Sequence, residues 1–134
     1  MVEVEIRGKK FPLCLTVAAL DEINDKCGGI QHIGAFLDGK DSAGVANSSR
    51  VMVNTAWMLA LLLREGEENR LVYAQFGGEE AKRRDVPDLE ALRHLMTFAT
   101  AKKYRLAVIA AVNESMVQEI EALYPKNVKS AERG

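Results

Sequence analysis

The sequence predicts an α+β fold, mainly α, in which an N-terminal β-hairpin packs on a bundle of four to six helices. Three observations predict it. The first fifteen residues alternate apolar and polar with a period of two, and from residue 17 onward the apolar residues recur at helical spacing. Clusters of Gly, Asp and Ser punctuate the chain between those stretches. At 134 residues and 48% hydrophobic content, the chain has the length and composition of one ordinary domain, so a single core is expected. That domain takes in residues 1–125, and residues 126–134 read as a polar, disordered tail.

Val2, Val4 and Ile6 fall on one face of a first strand, Val2–Arg7, with Glu3, Glu5 and Arg7 on the other. Gly8-Lys9-Lys10 supplies a turn, and Phe11, Leu13 and Leu15 repeat the period in a second strand over 11–15. A hairpin joins the two apolar sets on one face. Two strands alone are marginal in water, so a helix must cover that face. Thr16 stands at the N-cap of such a helix, with Leu15 and Leu20 placed as a hydrophobic staple, and the first helix therefore starts at Val17. Ala19, Leu20, Ile23 and Cys27 form its apolar stripe, Asp21, Glu22, Asp25 and Lys26 face water, and Gly28-Gly29 stops it. Ile30, Ile33, Phe36 and Leu37 mark a short second helix, closed by residues 38–42.

Residues 39–47 have almost nothing to bury and read as a mobile loop, after which Ser48 or Ser49 caps the next helix. Val51 to Leu63 is apolar nearly all round, which makes this helix central to the core or to an oligomer interface. Glu65-Gly66 ends it. Residues 67–87, divided by Gly77-Gly78 and Pro87, hold at most a short helix. Asp88 then caps a pattern of Leu89, Leu92, Met96, Ala99, Leu106, Ala110, Val117 and Ile120 that runs to Tyr124-Pro125. It is one long helix or two, because Thr97 to Lys103 interrupts the stripe.

Lys and Arg number 18 against 19 Asp and Glu, and neither half of the chain is basic. Nucleic-acid affinity comes largely from phosphate neutralisation, so this balance argues against a nucleic-acid partner. Cys14 and Cys27 form no disulfide framework and read as small buried apolar residues. The acidic, alternating start predicts no signal peptide and places the chain in a reducing cytoplasm. The longest apolar run, Ala56 to Leu63, falls far short of the roughly 20 residues of a membrane span.

Chemistry is scarce along the chain. His32 and His94 have no carboxylate or cysteine arranged as a triad or metal site needs. Glu67-Glu68 and Glu79-Glu80 read as solvated surface charge, and Gly77-Gly78 lacks the following Lys-Ser or Lys-Thr of a phosphate loop. Lys82-Arg83-Arg84 and Lys102-Lys103-Tyr104-Arg105 read as solvated helix faces, the first cancelled by Glu79, Glu80, Asp85 and Asp88. No catalytic, cofactor-binding or metal-binding residue is expected. The helices around Gly28-Gly29 have a superficial helix-turn-helix look, but the second offers only Gln31 and His32 as polar readers. Met52, Met58, Met96 and Met116 suit either an adaptable binding surface or plain core filling.

The order of strand, Gly-Lys turn and Phe11-Pro12-Leu13 strand, then Leu20-Asp21-Glu22-Ile23 and Gly28-Gly29, leads into a helical body carrying Trp57 to Leu63 and Glu65-Gly66. This layout, over residues 2–120, resembles the tail assembly chaperones of long-tailed bacteriophages and related prophages. The resemblance implies a non-enzymatic protein of the infected bacterial cytoplasm, absent from the mature virion. Such proteins bind the tape measure protein, keep it soluble and help recruit tail tube protein subunits; many self-associate as homo-oligomers, and many have a longer form made by ribosomal frameshifting. On that footing the expected contact residues are exposed positions of the final helix, Tyr104, Met116 and Val117. The alternative is a small phage DNA-binding or regulatory protein reading through the Gly28-Gly29 helices; an enzyme ranks third.

Overall fold

Alternation in the first residues builds strands β1 (Glu3–Ile6) and β2 (Lys9–Pro12), paired antiparallel with Val4 opposite Phe11 and Ile6 opposite Lys9. In this computed structural model the backbone is described for residues 1–123 and side chains through Met116. The turn is Arg7-Gly8, not Gly8 to Lys10. Both residues take positive φ, 54° and 81°, as a two-residue turn that follows the strand twist requires. Lys9 and Lys10 thus belong to β2. Val4, Ile6, Phe11 and Leu13 are buried while Glu3 and Glu5 are exposed, so the period of two does sort the faces.

A 3-10 turn, Val17–Ala19, leads into α1 (Leu20–Cys27). Thr16 precedes the turn but does not cap it: its hydroxyl donates to Glu65 Oε1 at 2.5 Å. The hydroxyl is turned toward that carboxylate instead of the helix N–H groups, and the expected cap becomes a bridge to a distant helix. Gly28, at φ 85°, ends α1 as expected, and a second 3-10 turn, Ile30–His32, opens α2 (Ile33–Leu37). The segment expected to be a mobile loop is a built turn. Asp41 Oδ1 accepts from the Ala43 and Val45 N–H groups at 2.9 Å each, and Lys40 bridges to Ala46. Asn47, rather than Ser48 or Ser49, caps the next helix by accepting from Arg50 N–H at 3.0 Å.

That helix, α3 (Ser48–Phe76), runs 29 residues and does not end at Glu65-Gly66. Gly66 is a packing site inside it. A Cβ there would overlap the Pro12 carbonyl, and the Cys14 N–H donates to the Leu62 carbonyl at 3.3 Å, so β2 lies directly on the helix backbone. Only glycine permits that approach. The expectation of at most a short helix over 67–87 is likewise corrected, since α3 carries on to Gly77-Gly78.

Asp88 does cap the next helix, α4 (Leu89–Leu95), its carboxylate accepting from Ala91 N–H at 2.8 Å. The final stripe is two helices, because α5 (Phe98–Leu123) starts afresh after Met96-Thr97. Thr97 and Thr100 exchange bonds there, each backbone N–H donating to the other's hydroxyl at 3.0 and 3.3 Å, a reciprocal cap. The hairpin, α1, α2, α3, α4 and α5 share one core around Met58, Leu59, Leu62, Leu63 and Val108. The structure is thus mainly helical, with a hairpin and five α-helices among the described residues. None of those helices is long and apolar enough to cross a membrane. The end at Tyr124-Pro125 and the tail over 126–134 lie outside the described residues.

Candidate functional site

Of the two expected contact residues whose side chains are described, neither is fully exposed. Tyr104 is buried, with 7% of its surface in water, on the same side of α5 as Val108 and Ala111. The Lys-Lys-Tyr-Arg run suggested an exposed face, but two residues along a helix turn through about 200°, which sends Lys102 and Tyr104 to opposite sides. Met116 is half-buried and lines a groove of about 400 Å³ between α2 and α5 with Ile30, Ile33, Leu37, Ile109 and Val112. The Val117 side chain lies outside the described residues.

The open apolar surface is elsewhere. Phe98 and Leu106 on α5 leave 86% and 57% of their surface in water, and Tyr73 and Phe76 at the far end of α3 leave 74% and 85%. Sequence reasoning missed Phe98 because it did not fix where the last helix begins. Counting from the Thr97 cap would have set Phe98, Lys102 and Leu106 in one row at four-residue spacing. Trp57, expected in the apolar excess, is half-buried and packs edge-on to Phe36, ring centroids 5.7 Å apart.

The charged clusters are neutralised differently from expectation. Glu67 is not solvated: its side chain is 2% exposed and accepts from Arg70 at 2.6 and 3.0 Å, from the Arg84 N–H at 2.7 Å and from the Arg84 guanidinium at 3.1 Å. The Arg70 guanidinium, with Arg84 behind it, overcomes burial and holds the Glu67 carboxyl down at about 2. Glu68 pairs with the Arg83 guanidinium, and Arg70 also donates to the Lys82 carbonyl at 2.6 Å. Lys82-Arg83-Arg84 is therefore no helix face. It is an irregular strap tied along α3, Arg84 and Arg83 pairing with Glu67 and Glu68 rather than with their sequence neighbours. Glu65 is also buried, held by Thr16 and by Arg64 at 2.9 Å.

These groups are poorly placed for reaction chemistry. A carboxylate as fully bonded as Glu67 stays ionised at working pH and has no proton to give. Burial pushes the Cys27 thiol up to about 11 against the pull of Lys26, and burial, then Glu65 and Glu114, raises Cys14. Thiolate is scarce at both. His94 lies open on α4, 3.1 Å from Glu90 one turn away. Among the described residues, no three His, Cys, Asp or Glu side chains are gathered to hold a metal ion. The second helix at Gly28-Gly29 buries Ile33 and Leu37, so its apolar side belongs to the core. What the surface offers is open apolar side chains on α3 and α5. No family model, curated protein or solved structure matches this chain.

Proposed function

We propose that this chain is a tail assembly chaperone of a long-tailed bacteriophage or prophage, a non-enzymatic protein of the host cytoplasm that is absent from the mature virion. It binds the tape measure protein, keeps it soluble and helps recruit tail tube protein, working as a homo-oligomer or alone. The observation that carries the reading is the unpartnered apolar surface on the long helices, Tyr73 and Phe76 on α3 and Phe98 and Leu106 on α5. A helical client with its own apolar stripes would cover such faces, and many weak contacts along a long client would sum. The layout behind the resemblance, a hairpin, a helix stopped at Gly28-Gly29 and an apolar helix through Trp57, supports it as well.

Co-expression with a tape measure protein, the proposed long helical client, tests the reading. The client's soluble fraction should rise severalfold and the two should co-purify. An unchanged soluble fraction with no co-purification would remove the proposal.

A further inference from the structure

α5 sorts its side chains by charge as well as by burial. Tyr104, Val108, Ala111 and Val112 face the core, while Phe98, Lys102, Leu106, Ala110 and Asn113 are exposed on the opposite side. Spacings of four, four, four and three residues keep those five in one row, about 22 Å long at the helical rise. Lys102 and Lys103 are the unpaired charges on this side, Arg105 one turn on being tied to Asp38 at 2.6 Å. Neither forms an ion pair among the described residues; Lys103 Nζ donates to the Glu5 carbonyl at 3.4 Å and lies 5.6 Å from the Tyr104 ring centroid. From Phe98 to Asn113 the helix holds no carboxylate at all.

We propose that this row docks an acidic amphipathic α-helix of the bound protein, with that helix's apolar residues on Phe98 and Leu106 and its carboxylates against Lys102 and Lys103. A helix fits where a strand does not. A strand adds to a free backbone edge, whereas the N–H and C=O groups inside α5 are already bonded, and a ridge at four-residue spacing enters the groove of a second helix. Ala110, between Leu106 and Asn113, lets the two backbones come close. The acidic preference follows from like-charge cost, since a basic helix would set its cations against two lysines that no carboxylate pairs among the described residues. The proposal rests on the chaperone reading for whose helix it is, and adds the chemistry of that helix.

Two labelled helical peptides test it, with the same Leu and Ala stripe but flanked by Glu in one and Lys in the other, titrated with the full chain by fluorescence anisotropy. The Glu peptide should bind about tenfold tighter than the Lys peptide, as two surface charge pairs made rather than opposed would give. Lys102→Glu with Lys103→Glu should reverse the preference, and Phe98→Ser with Leu106→Ser should abolish binding of both. All four positions are exposed, and circular dichroism checks that the variants keep their helix content. Equal affinity for the two peptides, no binding of the Glu peptide, or unchanged binding in the Ser variant overturns the proposal. So does failure of the Glu peptide alongside a Leu106-dependent dimer in sedimentation, or alongside binding to phosphatidylglycerol vesicles. Where co-expression solubilises the client equally with all variants, the chaperone reading stands and this surface falls. Where the Glu peptide binds and co-expression fails, the surface stands without that client.

Discussion

Glu67 is the residue where stability and pH meet. Its carboxyl titrates at about 2 in the folded chain against an ordinary 4.5, so the contribution is fully present above about pH 4.5 and is lost as pH falls toward 2. The shift corresponds to about 3 kcal/mol, and the solvent-facing parts of Arg70 and Arg84 screen it toward about 1–2 kcal/mol. Glu67→Gln should therefore lower the urea midpoint at pH 7, and the gap from the parent chain should narrow steadily between pH 4.5 and pH 2. A gap that stays constant across that range would mean the carboxylate is not paired as described. The sequence could not reveal this role. Glu67-Glu68 sits among polar neighbours, and the arginine that helps bury it lies 17 residues further on.

At the scale of the element, Gly66 decides how closely α3 lies against β2. Helix propensity alone favours Ala over Gly by about 1 kcal/mol, whereas an added Cβ meets the backbone of Pro12, which cannot swing aside like a side chain. Overpacking of that kind costs about 1–3 kcal/mol, so Gly66→Ala should lower Tm by a few degrees. A rise in Tm would instead mark Gly66 as an idle helix residue. Where a signal was local, the sequence carried it: Gly28-Gly29 stops α1 and Asp88 caps α4 within a few residues of the groups they serve. Gly66 was read as a helix end because its reason for being there, the Pro12 carbonyl, is 54 positions away. The break before α5 depends on a Thr97–Thr100 exchange that no apolar pattern announces.

Across the whole molecule, the buried side chains of the hairpin and the helices form one connected cluster, with Trp57 packed against it. Unfolding should accordingly be a single event, with Trp57 fluorescence and far-ultraviolet circular dichroism giving superimposable urea curves; two separated transitions would show units that melt independently. The mainly helical body, the hairpin face and the central place of the Trp57 to Leu63 stretch were all legible, because period and apolar density report burial directly. Which apolar positions of α5 stay open to water was not. Whether a helical residue is covered depends on the phase of its helix and on partners far along the chain, which is why Tyr104 is buried and Phe98 open. The joining of the first strand to α5 carries a consequence for synthesis. Val2 N–H bonds to Glu114 across 112 positions and Leu15 N–H to Ser115 across 100, with β1 packed on α5. A ribosome adding about 5–20 residues per second therefore makes β1 about 5–20 s before its cover exists, and for that time the nascent chain carries Val4 and Ile6 bare.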